Sequence, residues 1–271
     1  MRKLSAIPAP AVAGVVREKN VAAAIAQIKN CRHQGADMID LHLSCLEDQT
    51  VEALKKIIES SPLPILALNY NNNWDRTSQS LSEEERVASF LAAVEAGAAG
   101  VDIQGYTFHL PSKKNFCGED RYSFTKGNPK EIVTDPEIIA KQCGLIEEVH
   151  RRGAEVLLSC HPGISMNCQQ VLDLARFLQE RNPDIIKIVT KAETPEDLEE
   201  AIRTMQVLKR EIKTPISFHA SGKAGIPSRI INPILGGQIA FCVERFDEGS
   251  TPEQLDLGSV RAIVDNARRI L

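Results

Sequence analysis

Short apolar runs of strand length alternate with longer stretches of helical periodicity from one end of the chain to the other. The runs that read as strands are 11–16, 37–43, 64–70, 100–104, 155–160, 184–189, 215–219 and 238–243. Between them, 20–34, 50–59, 82–96, 135–152, 167–180, 194–210, a short piece near Arg229, and 258–270 carry apolar residues at helical spacing. Local signals mark several boundaries. Ser82 stands ahead of Glu84 and Glu85, and Thr194-Pro195-Glu196-Asp197 puts proline at the first helical position with acids in the first turn. Gly35, Pro62, Gly97, Gly153, Pro183 and Pro215 punctuate the returns from helix to strand. Eight strands interleaved with helices predict a closed (β/α)8 TIM barrel occupying the whole chain as a single domain. The eighth strand rests on a short run, which leaves a doubly wound open sheet as the alternative. One connection is out of proportion: 105–134 gathers Tyr106, Phe108, His109, Phe116, Tyr122 and Phe124 among Lys113, Lys114, Arg121 and Lys126. A connection of that length is usually functional or disordered. Because it follows a strand it should lie over the catalytic face, as a lid, an oligomer contact or a small hairpin.

Composition narrows the class. The 271 residues suit one barrel, and 43% apolar with 25% charged residues is ordinary for a globular protein. A formal charge of −4 gives no basic footprint, so no nucleic-acid partner is expected. No apolar run approaches a membrane span, and Pro8 and Pro10 interrupt any signal-like core near the N-terminus, so the expected location is cytoplasmic. The seven cysteines are scattered and form no CxxC pair, which reads as free thiols in a reducing compartment.

In a barrel of this kind the C-terminal ends of the strands build the active site. Those ends supply a polar ring: Asp40 and His42, Asn69 and Tyr70, Asp102 and Gln104, His161, Lys187, His219 and Ser221. Arg229 follows in the next loop, and Ser250 and Gln254 follow the last strand. Lys187 stands out because it interrupts an otherwise apolar strand, where an ammonium is costly to desolvate and burial favours the neutral amine. A neutral amine attacks carbonyl carbons. His161, one strand earlier, is the natural proton carrier beside it.

Several stretches together carry a resemblance: Gly35-Ala36-Asp37-Met38-Ile39-Asp40, Ser159-Cys160-His161, Asp184-Ile185-Ile186-Lys187-Ile188, Gly222-Lys223-Ala224-Gly225-Ile226-Pro227-Ser228-Arg229 and Ser250-Thr251-Pro252-Glu253-Gln254. In order and spacing they resemble the type I 3-dehydroquinate dehydratases. The resemblance implies a (β/α)8 barrel, commonly a homodimer, working on a small keto acid without metal or cofactor. It implies that Lys187 forms an imine with the substrate ketone and that His161 moves the α-proton and assists loss of water. It further implies that Arg229 holds the substrate carboxylate, while Ser250 and Gln254 belong to a loop closing over the substrate.

The departures concentrate on the other side of the ring. The family's Glu-x-Arg on strand two is Asp40-Leu41-His42 here, a family arginine on strand three is Tyr70, and the glutamate that orients the histidine corresponds to Gln104. These changes predict retained chemistry with altered recognition, and, from the missing carboxylate at Gln104, a lower pKa at His161 than in typical members of that family. Each of these residues also admits a plainer role. Lys187 could be a strand lysine paired with Asp102, His161 a cap or core histidine, and Arg229 a salt-bridged helix residue. The glycines at 222, 225, 236 and 237 could cradle a phosphate or simply serve turns. A different class is a metal-dependent lyase or hydrolase using His42, His161 and His219 with Asp40 and Cys160. An aldolase-like enzyme on another keto acid, and a binding barrel that has lost catalysis, complete the alternatives.

Overall fold

The computed structural model describes residues 3–70, 81–108, 131–246, 250 and 253–269. Strands β1 (Ala11–Val16), β2 (Met38–His42), β3 (Ile65–Leu68), β4 (Gly100–Gln104), β5 (Glu155–Cys160), β6 (Ile185–Lys191), β7 (Ile216–Ser221) and β8 (Ile239–Val243) are all parallel. They alternate with α1 (Val21–His33), α2 (Val51–Ile58), α3 (Glu83–Glu95), α4 (Pro136–Arg151), α5 (Cys168–Gln179), α6 (Pro195–Glu211), α7 (Ser228–Ile234) and α8 (Leu257–Arg268). The ladder runs β7-β6-β5-β4-β3-β2-β1-β8. Its two ends meet through Gln238 N–H donating to the Ile216 carbonyl at 2.8 Å and Ile239 N–H donating to Ser217 Oγ at 2.9 Å. The predicted barrel is therefore the observed fold, with a thin seam between β7 and β8 in place of a full ladder.

Helix starts follow the local chemistry. Ser82 with Glu85, Asn167 with Gln170, and Thr194 with Asp197 form reciprocal capping boxes, each satisfying two otherwise orphaned donors. An N-cap of this kind contributes about 1 kcal/mol. Pro136 and Pro195 occupy first-turn positions where a missing N–H costs nothing.

Two differences from the sequence reading bear on the site. β6 reaches Lys191 and β7 reaches Ser221, each two residues beyond the predicted 189 and 219, because the strands keep pairing through Thr190↔Ala220 and Lys191↔Ser221. Those residues are small or polar, so apolar patterning gave no hint of them. A ninth strand, β9 (Leu255–Asp256), pairs with Cys242 and Val243 and was too short to predict. Among the described residues no helix is long and apolar enough to cross a membrane. The six described cysteines are all unbridged. Most of the connection at 105–134 lies outside the described residues, so its expected role as a lid is not addressed by the fold.

Side chains alternate across a strand, so one parity faces the barrel axis and the other faces the helices. The outward set, with Ile39, Leu41, Val101, Leu158, Ile186 and Ile188, packs with helix residues into the larger core. The inward set fills the lower half of the barrel with Ala13, Met38, Leu66, Leu157, Ile185 and Ile239. Leu4 and Ile7 join that inner cluster, and Ser5 is fixed to the Glu155 carboxylate through its N–H at 2.9 Å and its hydroxyl at 2.6 Å. Above this plug the inward positions turn polar. Register places Gln104, Ser159, Lys187 and Ser217 side by side in one layer, and Val189 beside His219 in the layer nearer the mouth. The sequence thus builds a dry floor with a polar chamber above it.

Candidate active site

The chamber is a cavity of about 370 Å³ whose wall includes Asp40, His42, Tyr70, His161, Lys187, His219, Arg229 and Gln254. Lys187 is 6% exposed and its Nζ sits 4.3 Å from the centre of the Phe241 ring, which also lines the cavity. On its other side Nζ lies 3.7 Å from Oδ2 of the fully buried Asp102. Burial pushes the Asp102 carboxyl up from its ordinary range, against the pull of Lys187 and of the Ser159 hydroxyl. Asp102 Oδ1 accepts from Ser159 Oγ at 2.6 Å, whereas Oδ2 has no hydrogen-bond partner among the described residues and lies 3.7 Å from the amine. The ion-pair reading of Lys187 and its placement in the cavity are therefore both true. The carboxyl group paired with the amine is also a potential acceptor for its proton.

His161 follows directly on β5 and is 6% exposed. Burial, then the positive charges of Lys187 and Arg229, holds its imidazole well below the ordinary range, which favours the neutral form a base requires. The depression comes from desolvation and two nearby cations. His219 is held down in the same way, first by burial and then by Arg229, Lys187 and His161.

Gln104 needs correcting. Both ends of its carboxamide are occupied outside the cavity wall: Nε2 donates to the Asp102 carbonyl at 2.8 Å and to Oδ1 at 3.3 Å, and Oε1 accepts from Arg86 Nη1 at 2.5 Å. It braces Asp102 and is spent there, not on orienting His161. Arg86 is the centre of this support. Fully buried, it donates to the Asn69 carbonyl at 2.8 Å and Thr107 Oγ1 at 2.9 Å, and pairs with Glu83 at 2.6 Å. Its guanidinium lies 5.3 Å from the ring centres of both Phe90 and Tyr106. Sequence reasoning missed Arg86, because an arginine three residues after a glutamate on a helix reads as a solvated pair.

The recognition side is an aromatic row. Tyr70 stands edge-on to His42 at 5.8 Å and to His161 at 5.9 Å between ring centres, and His42 Nε2 lies 3.6 Å from Asp40 Oδ2. Arg229, near the start of α7, presents a buried Nε that has no hydrogen-bond partner among the described residues. Gln254 is 7% exposed, and its Oε1 accepts from Arg17 Nη1 at 3.4 Å. Ser250 is partly buried and does not wall the cavity. The glycines serve turns: Gly222 has φ +87°, and a Cβ there would approach the Ala192 carbonyl to 2.7 Å. Among the described residues no three His, Cys, Asp or Glu side chains gather closely enough to hold a metal, so the strand-end histidines do not form a ligand set.

The sequence model of the type I 3-dehydroquinase family matches residues 134–269, half of the chain. The chain belongs to this family. The 3-dehydroquinate dehydratase of Desulfotalea psychrophila is 25% identical over 232 residues, covering 84% of this chain and 86% of that protein. Among solved structures, the Geobacillus kaustophilus 3-dehydroquinate dehydratase superposes with a TM-score of 0.78 at 15% identity, over 99% of this chain and 96% of that one. The type I enzyme of Clostridium difficile, carrying covalently modified comenic acid, gives 0.76 at 14% identity over 97% and 94%. Identities this low establish a shared fold. As a type I 3-dehydroquinase family member, this chain brings Lys187, His161 and Arg229 together in one cavity, whose wall also includes Asp40, His42 and Tyr70.

Proposed function

We propose that this chain is a hydro-lyase that removes water from 3-dehydroquinate, or a closely related cyclic keto acid, through an imine on Lys187. Lys187 Nζ attacks the ketone carbon, and loss of water from the carbinolamine leaves an iminium. Asp102, 3.7 Å from Nζ, is placed to accept and return the amine proton. The iminium acidifies the neighbouring C–H, and neutral His161 removes that proton. The resulting enamine expels the β-hydroxyl, which takes the proton from the imidazolium and departs as water. Hydrolysis of the conjugated iminium then frees the product and restores the amine. Arg229 is suited to hold the substrate carboxylate through its guanidinium fork.

The observation that carries this reading is the shared cavity, in which a buried amine and a neutral imidazole face the same space. The test is to incubate the protein with 3-dehydroquinate and borohydride and map the modified peptide. A covalent adduct on Lys187 is expected; its absence, with turnover intact, would remove the imine mechanism. A second reading, that another keto acid is the better substrate, is favoured by the Asp40–His42–Tyr70 wall. Adducts compared across a panel of keto acids would choose between them. The same proposal includes a homodimer, for which sedimentation should give twice the mass of 29.8 kDa.

A further inference from the structure

The long connection between β4 and α4 returns to the barrel at Glu131, a residue that neither the family motifs nor the cavity wall includes. It is 1% exposed, and Oε2 accepts the main-chain N–H of His161 at 2.9 Å. Oε1 is buried and has no hydrogen-bond partner among the described residues. The Glu131 carbonyl also accepts from Cys160 Sγ at 3.7 Å. The return is tightly built. A Cβ on Gly105 would come within 2.6 Å of the Glu131 carbonyl, so glycine is what allows the two ends of the connection to touch. Gln142 Nε2 donates to the carbonyls of Gly105 and Thr107, both at 2.9 Å. Arg181 then ties Gln142 Oε1 at 2.8 Å to the Val133 carbonyl at 3.1 Å. A carboxyl group is thereby wedged against the last main-chain donor before the imidazole.

We infer that Glu131 is a positioning residue for His161: it fixes the end of β5 and sets the basicity of the imidazole through its own charge. This rests on the reading that His161 is the proton carrier. Burial pushes the carboxyl up to about 8, with Asp102 adding to the rise and the His161 N–H, Lys187 and Arg86 opposing it. Cys160 and His161 face it from β5 and its end, Asp102 from β4, Lys187 from β6 and Arg86 from α3. Below that point Glu131 is neutral, and the imidazole feels chiefly the two cations beside it. Above it, a negative charge appears behind His161 and strengthens it as a base.

The expected signature is a rise in kcat/KM between pH 7 and 9 in the unaltered protein. Glu131→Gln keeps an acceptor for the His161 N–H but cannot ionise. It should retain activity at pH 7 to within about threefold and lose the rise. Glu131→Ala removes the acceptor and should lower kcat by one to two orders of magnitude with KM changed less than about threefold. A purely structural role would lower activity in both variants and leave the pH profile unchanged. The inference is overturned if the unaltered protein shows no inflection between pH 7 and 9, if Glu131→Gln keeps it, or if Glu131→Ala turns over normally. A borohydride adduct on Lys187 in all three proteins would show that such a failure concerns Glu131 and leaves the imine standing.

Discussion

The two halves of the barrel do different work. Strands β5 to β8 and helix α7 lie in the part matched by the family model and carry His161, Lys187 and Arg229. Strands β1 to β4 and helix α3 lie outside it and supply Arg17, Asp40, His42 and Tyr70 on the cavity wall, with Asp102, Gln104 and Arg86 behind that wall. The proposed imine chemistry needs an amine, a proton carrier and an anchor for the substrate, and in that proposal one half supplies all three. In the same proposal the other half sets what the ketone must look like. A fold that places both around one axis lets recognition drift while the reacting atoms stay in place.

The largest effect should come from the matched half. Lys187→Ala removes the nucleophile, and activity should fall by at least about 10⁴-fold, because no neighbouring group replaces a covalent route. Steady-state turnover measures this, and residual activity within tenfold of the parent would break the comparison at its strongest point. Next comes the support beneath the unmatched half. Arg86→Met leaves Glu83 buried without its partner and strands the Gln104 and Asn69 acceptors. Losing one member of a buried ion pair costs about 3–5 kcal/mol. Urea denaturation should register that loss, and a change below 1 kcal/mol would mean the network is ornamental.

Recognition should respond more gently. Tyr70→Phe keeps the ring between His42 and His161 and deletes only the hydroxyl. It should change the ratio of kcat/KM between two keto acids by about tenfold, roughly 1.4 kcal/mol, while borohydride trapping on Lys187 persists. An equal loss for every ketone would place Tyr70 in the chemistry instead.

The smallest effect is on stability against pH. His161 and His219 titrate well below 6.5 in the folded state, so below that pH the unfolded chain binds protons that the folded one does not. Stability therefore falls as pH drops below 6.5. Glu131 acts in the opposite sense: between 4.5 and about 8 the folded state keeps a proton that the unfolded state has released, so stability declines as pH rises through that window. His219→Asn should make the acid-side decline shallower in thermal melts, and an unchanged slope would contradict the buried neutral imidazole.

Much of this was readable from the chain itself. Inward strand positions repeat every second residue, so Asp40 and His42, Asp102 and Gln104, and the apolar frame of Lys187 declared themselves by spacing. The β-strand ladder then had only to close. Arg86 and Glu131 were not readable, for a common reason. Each is a charged residue in a charged neighbourhood, Glu-Glu-Glu-Arg in one case and Pro-Lys-Glu in the other, and local pattern assigns both to solvent. Their burial follows from contacts with residues distant in sequence, which no local periodicity encodes. Gln104 illustrates the converse error: its strand-end position was read correctly, but its partner was not, because Arg86 had not been foreseen.

The central claim separates an amine that captures the ketone from an imidazole that moves the proton. His161→Asn, mixed with 3-dehydroquinate and borohydride, tests that separation most directly. The account predicts an adduct on Lys187 comparable to the parent's, together with a loss of turnover of about 10²–10⁴-fold when borohydride is omitted. Turnover close to the parent's, or an adduct that forms on some other lysine, would contradict it.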